Sequence, residues 1–326
     1  MKNRCIVAGA RAGLLLAIGL ACAGAALAQS FPSRPVTVIV PFPAGGGTDA
    51  LMRAIAPGLS TALGQSVVID NRGGAGGTIG ATAVAAAAPD GHTLGMATTS
   101  THAIASALYR NLKYDPQKSF APIGLVGTSP YVLAARANLP AGNLGELIRL
   151  ARAQPGKLSY ASVGAGTMSQ LIAERFKTVA QVDLLHVPYK GAAPAQTDLL
   201  GGQVDLLFDN PATLAPQVRA GRIKAIAQTR RNALLPEVPL FADADLRGFE
   251  YELWYGVIAP AGIPEPVRDA LAKALRTAVE ARATRASLLA QGVSPADPAP
   301  RVFAETLRRD VQLWGGVVKS SGVKID

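Results

Sequence analysis

Cysteine is nearly missing from this chain, and the two that occur, Cys5 and Cys22, both lie in its first 28 residues. That segment reads as a secretory signal. Lys2, Arg4 and Arg11 form a basic start, Ala12 to Ala25 an apolar stretch, and Ala26-Leu27-Ala28 a small-residue cleavage site. A chain cut after Ala28 has no thiol, no disulfide and no cysteine metal ligand, so its stability must come from packing. Lipoprotein processing at Cys22 is the alternative, although Gly19 stands where such signals carry an aliphatic residue. No other apolar run reaches the length of that first one, which is itself short for a membrane span.

Aromatic residues make up 5% of the chain, too few for base-stacking platforms. Without the first 28 residues, 29 basic side chains face 22 acidic ones, a net charge of +7 with no basic cluster beyond pairs such as Arg230-Arg231. Nucleic acid is therefore not an expected partner. His92, His102 and His186 are the only histidines and have no metal-like spacing, so neither metal nor cofactor is expected. There is no G-x-S-x-G elbow for a serine nucleophile, and none of the glycine-rich turns carries the lysine of a phosphate-binding loop.

Three glycine-rich turns are the most informative feature present: AGGGTD from Ala44, GGAGGTIG from Gly73 and SVGAGT from Ser162. Each follows a β-branched or apolar run and opens a helix, placing bare amides where the helix dipole favours an anion. Without the lysine, the guest this points to is a carboxylate. The structural alternative is that glycine serves backbone geometry alone.

Along the chain, strand and helix alternate, which predicts an α/β fold. Val36 to Phe42 reads as a buried parallel strand. The helix after it places Leu51, Ile55, Leu59 and Leu63 at four-residue spacing, with Thr48 as cap. Further strands are expected at Val67–Ile69, Thr93–Ala97, Leu158–Ala161, Leu184–Val187, Val204–Phe208 and Ile223–Ala227. Ile123–Ala135 and Tyr251–Ala259 read as extended segments crossing between two α/β sets, and two helices from Pro266 and Pro300 finish the chain. A chain of this length is expected to form two domains. Residues 29–130 plus 251–326 make lobe one and 131–250 lobe two, with the strand ends, and all three glycine turns, at the cleft between them.

Six phrases carry a family resemblance: FPAGGGTD at Phe42, NRGGAGGTIGA at Asn71, PGKLSYASVGAGT at Pro155, HVPYKGAAPA at His186, LLGGQVDLLFDN at Leu199 and WYGVIAPAGIP at Trp254. In this order they resemble the periplasmic solute-binding receptors of tripartite tricarboxylate transporters, the Bug family. The resemblance implies a type II periplasmic-binding-protein fold with two crossing hinge strands. It also implies a monomeric, non-enzymatic receptor that closes on a small organic acid and delivers it to membrane permease subunits. The acid could be a di- or tricarboxylate, an acidic amino acid or an aromatic carboxylate.

Carried over by position, the resemblance nominates Ala44, Gly45, Gly46, Thr48 and Asp49 in the first loop, and Ala75, Gly76 and Gly77 in the second. It nominates Thr99, Ser100 and Thr101 in the third, Ser162, Gly164, Ala165, Gly166 and Thr167 in the fourth, and Asp209 with Asn210 in the fifth. After Thr167 the chain departs from the family pattern, with Met168-Ser169-Gln170-Leu171 where a proline and a His-Leu or Ser-Leu pair are usual. Each candidate also has a plain reading. Asp49 can be a helix-dipole partner, Asp209 and Asn210 a helix cap, Tyr189 and Lys190 a surface turn, Trp254 and Tyr255 hinge packing. A ligand-presenting sensor protein is the rival function; an enzyme is the third.

Overall fold

The computed structural model describes residues 31–323, and the expected signal segment lies outside them. From Arg34 the chain builds a six-stranded and a five-stranded sheet. The fold class is the expected α/β.

Val36–Val40 (β1) is the buried strand that its β-branched run predicts, and it pairs in parallel with Val67–Asn71 (β2) and Thr93–Thr98 (β3). Between them run the helices Gly47–Leu63 (α1) and Thr78–Ala85 (α2). Thr48 is not the cap of α1. It stands second in the helix, and Gly46 takes the cap position with extended φ −84° and ψ 168°. The TTSTH run is one wide helical turn, Thr99–Ile104, continuing into Ala105–Leu108 (α3).

The crossing segment is two strands, Phe120–Pro130 (β4) and Val132–Arg136 (β5), broken at Tyr131. β4 belongs to the large sheet and β5 to the small one. The small sheet continues with Ser159–Ser162 (β6), Leu185–Pro188 (β7), Leu206–Asp209 (β8) and Ile223–Gln228 (β9), in the order β7-β6-β8-β5-β9. Its helices are Leu144–Ala153 (α4), Met168–Ala180 (α5), Ala192–Leu200 (α6) and Pro211–Arg219 (α7). A cluster of wholly apolar side chains, among them Val132, Ala161, Leu207 and Leu214, fills the space under this sheet.

The return passage runs through 229–251, and Glu252–Pro260 (β10) lies wholly in the large sheet, antiparallel to β3 and β4. One hydroxyl stitches the two passages together. Thr229 Oγ1 accepts from Tyr131 N–H at 3.0 Å and donates to Tyr251 C=O at 2.7 Å, while its own N–H reaches Tyr131 C=O at 2.9 Å. Glu265–Glu280 (α8) and Pro300–Ser321 (α10) are the expected terminal helices, joined by the unforeseen helix Arg282–Ala290 (α9) and the short strand Ser294–Pro295 (β11). α10 holds the large sheet through Asp310, which accepts from Trp254 Nε1 at 2.8 Å; Trp254 packs edge-on against Phe303. Trp254 is thus a packing residue, but of the large sheet against α10 and not of a crossing segment, since the strand expected to cross at Tyr251–Ala259 stays in that sheet.

Candidate functional site

The strand-end loops of the two sheets meet across a seam of close approaches. Met168 N–H donates to Ser100 Oγ at 3.1 Å. A Cβ on Gly47 would stand 2.7 Å from Asn210 Nδ2, one on Gly76 2.9 Å from the Ala165 carbonyl oxygen, and one on Gly191 3.4 Å from Pro43. Glycine makes room at these positions for the Asn210 side chain, the Ala165 backbone and the Pro43 ring, and at Gly47 and Gly76 this is the bland role the glycine turns could have had. A cavity nonetheless lies at the seam.

This inner cavity of about 60 Å³ is lined by loop one (Phe42 to Thr48 except Gly45), Thr98 and Ser100, Tyr131, the turn Lys190 to Pro194, and Asp209 with Asn210. Two helices begin on its wall. α1 starts at Gly47 behind an uncapped Gly46, and α6 starts at Ala192 behind an uncapped Gly191. First-turn N–H groups have no intrahelical acceptor, so both helices offer donors and a positive dipole end to the cavity. Thr48, Thr98, Ser100 and the exposed Lys190 stand on the same lining, with the Thr98 hydroxyl engaged by Thr101 and Ser100 Oγ accepting from Met168 N–H. An outer groove of about 850 Å³ shares Phe42, Pro43, Ala44, Val163, Lys190 and Gly191 with it.

Six of the eighteen sequence-nominated residues line the inner cavity: Ala44, Gly46, Thr48, Ser100, Asp209 and Asn210. Ala75, Gly76, Gly77, Gly164 and Ala165 line only the outer groove. Gly45, Asp49, Thr99, Thr101, Ser162, Gly166 and Thr167 line neither, and their polar groups are engaged within the fold. Asp49 is buried and ties down the first loop, accepting from Gly45 N–H, Arg53 Nε and Asn71 Nδ2 at 2.9 to 3.0 Å. Burial alone would raise its carboxyl, but those bonds hold it below the usual carboxylate range. Thr99 Oγ1 accepts from Trp254 N–H, Thr101 completes a reciprocal cap with Thr98, and the Thr167 hydroxyl turns back to the Gly164 carbonyl.

The fourth loop carries the largest departure from expectation. Gly166 N–H, nominated as an anion donor, gives its hydrogen to Gln170 Oε1 at 2.8 Å. That fixes the amide, so Gln170 Nε2 faces His186 Nδ1 at 3.3 Å and makes it an acceptor. His186 Nε2 then carries the proton and donates to Ser162 Oγ at 2.7 Å, and Ser162 passes its own hydrogen to the Gly164 carbonyl. The chain of bonds is satisfied in one direction. In this tautomer His186 has no lone pair for the serine proton, so Ser162 is not an activated nucleophile. Burial pulls His186 below its ordinary pKa and keeps it neutral, against the pull of Glu174 upward.

His102, which follows the TTST run, is fully buried and does not line the cavity. Its ring lies tilted against Phe120 and Tyr114 with Nδ1 on Thr101 Oγ1 at 2.8 Å. Reasoning from sequence also missed the Gly191-Ala192-Ala193-Pro194 wall and Tyr131. The HVPYKGAAPA phrase was the available signal, but its side chains carry no chemistry and only its amides matter.

Asp209 is fully buried, and burial pushes its carboxyl up to about 6 despite bonds from Thr213 Oγ1 at 2.7 Å and Asn210 N–H at 2.8 Å. His102 is pushed the other way by burial, down to about 3. The two make opposite demands on stability. Between pH 6.5 and 3 the unfolded chain binds the His102 proton and the folded chain does not, so acid destabilises by up to about 1.4 kcal/mol per unit. Between about 6 and 3.8 the folded chain holds the Asp209 proton and the unfolded one does not, which stabilises by a similar slope. The Asp209→Asn chain should therefore lose stability between pH 6 and 4 about 1.4 kcal/mol per unit faster than the native chain. Urea unfolding at several pH values measures this, and parallel curves would refute it.

Residues 51–323 match the family described as "Tripartite tricarboxylate transporter family receptor". The chain belongs to that family, whose members are substrate-binding receptors. It is 39% identical over 306 residues to the UPF0065 protein of the tcbD-tcbE intergenic region of a Pseudomonas sp., covering 93% of this chain and 91% of that protein. MatC (Rpa3494) from Rhodopseudomonas palustris, solved with bound malate, superposes with a TM-score of 0.84 at 37% identity, over 88% of this chain and 100% of that one. Rpa4515 from R. palustris, solved with adipate, gives 0.86 at 35% identity, over 90% and 99%. The fold is thus that of periplasmic binding proteins of this family. No helix among the described residues is long and apolar enough to cross a membrane.

Proposed function

We propose that this chain is an exported receptor that captures one small organic carboxylate between two lobes, 29–130 plus 251–326 and 131–250, and delivers it unchanged to the permease subunits of a tripartite transporter. It works in the periplasm as a monomer after cleavage behind Ala28. The observation that carries this reading is the convergence of two uncapped helix N-termini, α1 and α6, with Thr48 and Ser100 on one cavity. Malate in MatC and adipate in Rpa4515 support a carboxylate as the guest. Four charge-assisted bonds at about 1.5–3 kcal/mol each offset a desolvation cost of several kcal/mol, leaving a micromolar constant, about 8 kcal/mol, within reach. The wiring of Ser162 supports binding without hydrolysis.

Thermal melting with a panel of malate, succinate, adipate, aspartate, glutamate, citrate and benzoate tests the reading, together with mass spectrometry of ligand carried through native purification. Stabilisation by none of them, with no acid co-purifying, overturns it. Lys190 lines the cavity but is exposed, where an ion pair contributes little, about 0.2–1 kcal/mol. Lys190→Ala should weaken binding of the best acid less than tenfold by calorimetry. A loss above a hundredfold would mean that one cation, not the amides, holds the carboxylate.

A further inference from the structure

The two walls of the inner cavity are chemically opposite. The α1 and α6 side presents amide hydrogens, while the other holds acceptors: Asn210 turns Nδ2 toward Gly47, its Oδ1 is buried with no partner among the described residues, and Asp209 lies beside it. Each Asp209 oxygen takes a single bond, from Asn210 N–H and from Thr213 Oγ1, and no lysine, arginine or histidine among the described residues pairs with it. The titratable groups facing Asp209 are Tyr131 after β4 and Tyr255 on β10, both kept protonated by burial first and by the Asp209 charge second; Lys190 lies across the cavity. A buried carbonyl oxygen without a partner, beside a buried carboxylate with one bond per oxygen and no cation, calls for a hydrogen-bond donor that the protein does not supply.

We propose that Asp209 and Asn210 form an acceptor corner selecting a guest with an N–H or O–H donor beside its carboxylate over the unsubstituted acid of the same length. The inference rests on the carboxylate reading above. An unsubstituted chain seats its carboxylate on the amide wall but leaves Asn210 Oδ1 unpaired and Asp209 with only its two bonds from Asn210 N–H and Thr213 Oγ1. A 2-amino or 2-hydroxy acid completes both walls at once. The donor's identity sets the protonation of the site. An ammonium neutralises ionised Asp209, whereas a hydroxy dicarboxylate brings a second negative charge and draws a proton onto it.

Calorimetry on the native chain at pH 7.5 tests this with matched acids: succinate, malate and aspartate; glutarate, 2-hydroxyglutarate and glutamate; adipate and 2-aminoadipate, each chiral acid in both enantiomers. The best donor-bearing acid should bind at least tenfold tighter than its unsubstituted partner. Asp209→Asn, checked for folding by its melting curve, should cost an amino acid guest at least tenfold and a hydroxy acid less than threefold. Titration in phosphate and in Tris should show proton uptake with the hydroxy acid only. An unsubstituted acid bound within tenfold of its partners overturns the acceptor corner while leaving the carboxylate reading intact. A preference that survives in both Asp209→Asn and Asn210→Ala also overturns it. If no acid of any set binds, the carboxylate reading has failed, and this inference with it.

Discussion

A Gly47→Val chain should fold like the native one and bind the best acid of the panel at least a hundredfold more weakly. Gly47 opens α1 with an ordinary backbone conformation, outside the positive-φ set, so a side chain there strains nothing locally. A β-branched residue costs a few tenths of a kcal/mol in helix propensity, offset by the flexibility that glycine loses. What the new side chain meets is the far wall. Its Cβ would lie 2.7 Å from Asn210 Nδ2 and 3.2 Å from Asn210 Cγ, and its methyl groups would enter the cavity in front of the α1 amides. A guest carboxylate then loses two charge-assisted bonds at about 1.5–3 kcal/mol each, more than the 2.7 kcal/mol that a hundredfold represents. Melting with ligand at a hundred times the native Kd should stabilise the native chain by about 2.7 kcal/mol and the variant hardly at all. Equal stabilisation of the two would remove the inner cavity as the binding site.

How far this cavity was legible beforehand depended on what kind of group carries each function. The strands were readable because β-branched runs and four-residue apolar spacing are properties of side chains. The helix α9 was not, since RATRASLLA offers one short turn of apolar residues and no cap. Thr48 misled for a similar reason: its hydroxyl suits a cap, but three glycines before it let the helix begin two residues earlier. Within the site, Asp209 and Asn210 were nominated by the family resemblance, while their place after a buried strand by itself read as a helix cap. The α6 wall could not, because Ala192 and Ala193 act through amides that any sequence possesses. Gly166 was nominated on the assumption that a glycine amide in such a loop is free. A glutamine four residues on, in the stretch where this chain leaves the family pattern, takes that hydrogen instead. Competition for backbone donors by nearby polar side chains decides which loop amides remain for an anion, and it is settled by geometry that spacing alone does not report.

Gly76→Val should hold the two loop systems apart and lower affinity at least thirtyfold, while Gly64→Val, its matched control, should leave affinity unchanged. The two glycines share a left-handed backbone, φ 63° and ψ 15° at Gly76, φ 68° and ψ 14° at Gly64. A β-branched residue there costs each chain a similar strain of about 1–2 kcal/mol, so their melting points should fall together. Their surroundings differ. Nothing stands within 4 Å of a Cβ on Gly64, whereas on Gly76 it would lie 2.9 Å from the Ala165 carbonyl oxygen and 3.0 Å from the Tyr109 hydroxyl. Ala165 belongs to the fourth loop, carried by the small sheet, and Gly76 to the second, carried by the large one. A backbone oxygen cannot rotate away as a side chain can, so the added Cβ must be accommodated by separating the loops. If capture of the acid proceeds by closure of the lobes, small-angle scattering should show a smaller radius on adding ligand to the native and Gly64→Val chains, and none to Gly76→Val. Native affinity and native compaction in Gly76→Val would mean that the loops give way locally, and that the seam between Gly76 and Ala165 plays no part in closing over the guest.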